Sequence, residues 1–188
     1  MKKTFTGLLL LLFSNLVFSQ DSESCTDWPS WPRAICRRLH QIWTEGNNEL
    51  YLSGYAWHNR YTYPRNKIHL YNEQAWGGGL GKGLYDEKGN WQGIFAFGFL
   101  DSHKNLEPVA GYAFLKVLHL NQNMRIGAGY TILATMRPDI FHGYPFPGVL
   151  PWVSINYRSA SLSATYIPGA KGAGNVLYVV GKWTFNFL

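Results

Sequence analysis

Near the C-terminus, Leu177-Tyr178-Val179-Val180-Gly181-Lys182-Trp183-Thr184-Phe185-Asn186-Phe187 changes character at almost every step. Leu177, Val179, Trp183, Phe185 and Phe187 share one face, interrupted only by Gly181, and Tyr178, Val180, Lys182, Thr184 and Asn186 share the other. A period of two belongs to a β-strand whose two faces meet different surroundings. The same period runs through 123–137, where Met124, Ile126, Ala128, Tyr130, Ile132 and Ala134 oppose Arg125, Gly127, Gly129, Thr131, Leu133 and Thr135. In 160–167, Leu162, Ala164 and Tyr166 oppose Ser161, Ser163 and Thr165. An apolar face set against a small or polar one suits a strand with lipid outside and a barrel lumen inside.

Outward from these strands, turn signals recur from Glu49 onward and predict eight strands, at about 49–62, 71–85, 90–101, 107–120, 123–137, 148–158, 160–167 and 174–187. Roughly 9–11 tilted residues cross a bilayer, so the expected fold is all-β, an eight-stranded antiparallel transmembrane β-barrel. In the third strand the alternation is expected to send Phe95, Phe97 and Phe99 outward and Ile94, Ala96, Gly98 and Leu100 inward. In the fourth, Gly111, Ala113, Leu115 and Val117 are expected to face in. The wall so predicted is apolar and small, which fits a packed interior or a pocket for an acyl chain, and a barrel of this size is too narrow for an aqueous channel.

Upstream, Trp31, Ile35, Leu39 and Ile42 form one stripe of an amphipathic helix at about 31–44, with Pro32 in the first turn and Gly46 at the stop. Such a helix could cap a soluble core or lie in a membrane interface. Residues 1–19, with Lys2 and Lys3 ahead of an apolar run from Leu8 to Phe13, have the pattern of a secretory signal peptide. Residues 20–188 are then the barrel domain, with the barrel itself at about 49–188. Without Lys2 and Lys3 there remain 15 basic and 11 acidic residues, a net charge of +4. Cys25 and Cys36 would stand ~16 Å apart on one straight helix, so a disulfide requires Cys25 to fold back from a non-helical lead-in; both states stay open.

The composition, 16% aromatic against 15% charged in 188 residues, excludes a disordered chain, and two cysteines cannot staple a domain of this size. Three polar clusters stand at predicted strand ends: Trp57 to Tyr63, Asp101-Ser102-His103, and Lys171 to Asn175. Up-and-down connectivity puts the ends of the first and third strands on one rim, so His58 can approach Asp101 and Ser102. A histidine beside a serine and a carboxylate is the skeleton of acyl transfer, although no Gly-x-Ser-x-Gly elbow is present. His103, His119 and His142 lack metal-ligand spacing, and neither a metal nor a cofactor is expected. The Gly77–Gly83 run lacks the ending of a phosphate loop and reads as relief of crowding in a curved strand. Basic residues scattered among aromatics in an exported chain point to anionic lipid rather than nucleic acid. Two other readings compete: a non-catalytic small barrel, which predicts a polar network filling the lumen, and a soluble lipid carrier, which predicts a polar outer surface.

Several motifs together resemble the outer-membrane lipid A palmitoyltransferases of the PagP family. They are Trp57-His58, Tyr71-Asn72-Glu73 with Trp76-Gly77-Gly78-Gly79, Asp86-Glu87-Lys88-Gly89-Asn90-Trp91, Asp101-Ser102, Glu107-Pro108 with Ala110-Gly111-Tyr112, and Thr165 to Gly169 followed by Gly174-Asn175-Val176. The resemblance implies catalytic residues at His58, Asp101 and Ser102 on the extracellular rim. It implies transfer of a palmitoyl chain from the sn-1 position of a glycerophospholipid donor to a hydroxyacyl chain of the acceptor, lipid A, in the outer membrane. The substrate-binding wall would comprise Ile94, Ala96, Gly98, Gly111, Ala113 and Leu115, with Pro151 and Pro168 beside a lateral gap. Ala113 stands where the family has a pocket-floor glycine, Ser53 and Ala75 stand where it has prolines at a second gap, and the chain ends on Phe187-Leu188. Oligomeric state, monomer or homodimer, is left open.

Overall fold

The computed structural model describes residues 25–26, 29–169 and 174–185. The expected signal peptide, Lys171 and Phe187-Leu188 lie outside the described residues. The chain is organised as two units, Met1–Arg37 and Arg38–Leu188, and helix α1 (Ser30–Glu45) crosses from one to the other. In the first unit Cys25 and Cys36 are disulfide-bonded, with their Cα atoms 5.9 Å apart. Cys25 lies in a turn ahead of α1, the fold-back that the pairing requires. Along α1, Trp31, Ile35, Leu39 and Trp43 are exposed, while Ile42 is buried.

The second unit is a closed barrel of β1 (Asn47–His58), β2 (Gly77–Tyr85), β3 (Trp91–Leu100), β4 (Leu106–His119), β5 (Met124–Thr135), β6 (Phe146–Tyr157), β7 (Ala160–Ile167) and β8 (Val176–Phe185). Each strand pairs antiparallel with the next, and β8 closes on β1. Two strands stop well short of the bounds that the periodicity predicts at the site rim. β1 stops at His58 because the carbonyl of Asn59 accepts the N–H groups of Thr62 and Tyr63 and turns the chain. β2 begins only at Gly77: Asn72 Oδ1 accepts the N–H of Gln74, and the carbonyl of Glu73 accepts those of Ala56 and Ala75. Residues 59–76 are therefore a connection folded over the rim, containing the short helix α2 (Arg65–Ile68).

The outer face carries exposed Leu52, Leu80, Ile126, Ile132, Val153, Ile155, Leu162 and Trp183, an apolar belt suited to lipid. The outward faces of β5, β7 and β8 are those the alternation predicts. β3 is reversed. Phe95, Phe97 and Phe99 point inward and are buried, whereas Ala96 is exposed and Ile94 and Gly98 share its outward face. The register gives the cause: Phe95, Phe97 and Phe99 pair with Gly81, Gly79 and Gly77, and those missing side chains leave room for three rings. A Cβ on Gly81 would come within 2.7 Å of the Tyr51 ring, so this glycine is needed for close approach.

The interior has two halves. Towards the Asp86–Asn90 turn, Lys182 Nζ pairs with Glu49 Oε1 at 2.5 Å and lies 3.8 Å from the centre of the Trp91 ring. Tyr51 and Trp91 also donate to Glu49, at 2.8 and 3.2 Å. This plug closes the lumen at one end. Towards the opposite rim the wall is aromatic and aliphatic, and two seams interrupt it. β6 pairs with β7 only from Trp152 onward, leaving 146–151 without a ladder on that side. β1 pairs with β2 only up to Ser53, but here Ser53 Oγ donates to the carbonyl of Ala75 at 2.7 Å and bridges the strands.

Candidate active site

Above the polar plug lies a cavity of about 600 Å³, within the ~300–1,000 Å³ of ligand pockets. Phe95, Phe97, Phe99, Val109, Leu133, Trp152 and Tyr178 make its apolar wall. Phe95 and Trp152 are the lining residues of β3 and β6 farthest from the rim, and their rings meet at 5.5 Å to form the floor. His58, Tyr63, Tyr71, Asp101, Ser102, His103 and Arg137 surround the mouth.

His58 ends β1 and is buried. Its Nε2 lies 2.9 Å from Ser102 Oγ, and its Nδ1 lies 3.3 Å from Glu73 Oε1. The backbone N–H of His58 donates to the same carboxylate oxygen at 3.0 Å. Tyr71 stacks on the imidazole at 5.1 Å and Tyr63 meets it edge-on at 5.3 Å, which fixes the ring plane. Arg60 donates to both oxygens of Glu73, each at 2.6 Å. Burial alone would raise the Glu73 carboxyl, but the hydrogen bonds from Arg60 and from the His58 backbone outweigh it and hold the group below the ordinary carboxylate range. Ser102 is presented by the turn after β3. There Asp101 Oδ1 accepts the N–H groups of His103 and Asn105, both at 2.8 Å, and the carbonyl of Ser102 accepts the N–H of Asn72.

Of the residues expected at the site, His58 and Ser102 are brought into hydrogen-bond contact. The carboxylate against His58 is Glu73 rather than Asp101, which shapes the serine turn and lines the cavity mouth. Asp101 Oδ2 is buried with no hydrogen-bond partner among the described residues. Ile94, Ala96 and Gly98 do not line the cavity, because β3 presents its other face. Gly111, Ala113 and Leu115 sit on the inward face of β4 without lining the cavity: Gly111 pairs with Phe95 at the level of the floor, and Ala113 and Leu115 lie beyond it in the packed core. Pro168 lines the cavity; Pro151 lies on the outer face of β6, beside the seam. Phe146, Gly148 and Leu150, which face inward along that seam, line the cavity as well. Arg60 and Tyr63 lie in the Trp57–Tyr63 cluster but were given no role by the sequence, and Arg137 was not singled out. Tyr71 and Glu73 were visible in the Tyr71-Asn72-Glu73 motif, but without a role. No group of three or more His, Cys, Asp or Glu side chains among the described residues is arranged to hold a metal ion.

Fold and site together define a small closed membrane-type barrel with a serine–histidine–carboxylate constellation at the mouth of an apolar well. The chain belongs to the PagP family, matching over residues 38–182 the model described as "Antimicrobial peptide resistance and lipid A acylation protein PagP". It is 55% identical over 170 residues to the "Lipid A acyltransferase PagP" of Legionella longbeachae, covering 89% of this chain and 74% of that one. The protein of the same name from Bordetella parapertussis is 55% identical over 175 residues, 93% of this chain and 96% of the other. That of Legionella pneumophila is 51% identical over 184 residues, 97% and 98% of the two chains. The solved structure of Yersinia pestis outer membrane protein Ail is a remote likeness, with a TM-score of 0.40 and 11% identity over 74% of this chain and 99% of that one.

Proposed function

We propose that this chain transfers a long saturated acyl chain, palmitoyl, from the sn-1 position of a glycerophospholipid to a hydroxyacyl chain of lipid A in the outer membrane. The protein is an acyltransferase of the PagP family, and its substrates follow from that membership together with the site. The observation that carries the reading is the contact of His58 Nε2 with Ser102 Oγ, 2.9 Å, at the mouth of the apolar cavity. The acyl chain fills the cavity with its ester at the rim. The acceptor hydroxyl gives its proton to His58 Nε2, and its oxygen bonds to the ester carbonyl carbon. The bond from that carbon to the glycerol oxygen breaks, and the glycerol oxygen takes the proton back from His58, leaving a lysophospholipid. Ser102 holds Nε2 in line until the acceptor arrives, and Asp101 sets where Ser102 stands while keeping Oδ2 for the substrate.

Residues 1–19 act as the export signal. The long connections, 59–76 and 136–145, lie on the rim that carries the site, whereas the opposite rim has the short turns 86–90, 120–123 and 158–159. Outer-membrane barrels keep their long loops outside, so the site faces the exterior. The β6–β7 seam, flanked by Pro151 and Pro168, is the lateral route for lipid. Mass spectrometry of lipid A from cells with and without the protein tests the reading. It predicts a species heavier by one palmitoyl group only when the protein is present; identical spectra would reject it.

A further inference from the structure

Two carboxylates stand at the rim and are used differently. Asp101 directs Oδ1 into its own turn, accepting from His103 and Asn105. Glu73 directs Oε1 at His58, meeting the ring Nδ1 at 3.3 Å and the backbone N–H at 3.0 Å. The fork from Arg60, 2.6 Å to each oxygen, pins that carboxylate in place. An ionised carboxylate can only accept hydrogen bonds, so Nδ1 must carry the proton of a neutral imidazole. Nε2 is then the bare lone pair, and it is Nε2 that faces Ser102 Oγ. The opposite tautomer would present N–H to the hydroxyl and leave no base.

We propose that Glu73, held by Arg60, is the positioning residue that fixes the tautomer and orientation of His58 and balances the imidazolium formed during transfer. This assignment rests on the reading of His58 as the general base. Glu73 does not touch the reacting atoms. Its carbonyl also anchors the connection, accepting the N–H groups of Ala56 and Ala75, so side-chain and backbone roles have to be separated. Substitution of the side chain alone leaves those backbone bonds possible.

The full chain, folded in detergent, is assayed for transfer from labelled phosphatidylethanolamine to lipid A. Glu73→Gln and Glu73→Ala are expected to lower kcat by about 10²–10⁴-fold. KM is expected to stay within about threefold, and Arg60→Gln to lose about tenfold in kcat. Nitrogen-15 spectra of the histidine-labelled wild type are expected to give the Nδ1–H tautomer for His58, assigned by its disappearance in His58→Ala. In Glu73→Ala, which removes the acceptor at Nδ1, the signal is expected to lose that preference and the Nε2–H form to appear. An Nε2–H signal in the wild type overturns the proposal, and that spectrum decides even if the Glu73 variants do not fold. Full activity in Glu73→Ala beside an inactive His58→Ala overturns it too, while leaving His58 as the base. Full activity in His58→Ala instead removes the base assignment beneath it.

Discussion

His58 is clamped on every side: rings of Tyr71 and Tyr63 across its plane, Ser102 at Nε2, Glu73 at Nδ1 and at its backbone N–H. The pinning of Glu73 has a consequence at low pH. Its carboxyl in the folded state lies below its ordinary 4.5, so the stability it contributes is complete above that value and is lost as the pH falls through the lowered one. Arg60→Gln removes the largest of the contacts that lower it, leaving those from His58, and acid unfolding followed by near-ultraviolet circular dichroism is expected to begin at higher pH than in the wild type. Coincident curves would contradict the assignment. At Asp101, substitution by alanine leaves two turn N–H groups without their acceptor and is expected to cost ~1–3 kcal/mol, whereas Asp101→Asn keeps Oδ1 and costs under ~1 kcal/mol. Urea titration in detergent measures both.

Among the elements, β1 and β8 carry the plug. Lys182→Met leaves Glu49 buried without its cation and is expected to destabilise the barrel by ~3–5 kcal/mol, and adding Glu49→Gln to it is expected to restore much of that loss. A single variant as stable as the wild type in thermal melts would argue against a paired plug. The faces of β5, β7 and β8 were legible in the sequence because their two sides meet different media, apolar residues meeting lipid and small or polar ones the lumen. In β3 both media are apolar at the rim end, so alternation revealed two faces without saying which was outside. The answer lies in the register of Phe95, Phe97 and Phe99 against the glycines of β2, a pairing between strands. The approach of His58 to Ser102 was legible from connectivity alone. Glu73 was not, because it reaches His58 only after the Asn59 and Asn72 turns fold 59–76 back over the rim.

For the whole molecule, closure of the sheet makes one well with a fixed depth, bounded by Phe95 and Trp152 below and by His58 at the mouth. In the proposed reaction that depth would set the length of the transferred chain. Ala113 is fully buried in the packed core beyond that floor, whereas Trp152 meets the cavity directly. Trp152→Leu is expected to shift the transferred chain towards longer acyl groups in product mass spectra, and an unchanged distribution would contradict a floor at that residue. In the proposed reaction the rim histidine moves acyl chains between lipids. This role is tested most directly by incubating the detergent-folded protein and its His58→Ala variant with labelled phospholipid and lipid A. Labelled lipid A is expected from the wild type and none above background from the variant; no transfer by the wild type, or undiminished transfer by His58→Ala, would contradict a catalytic role for His58.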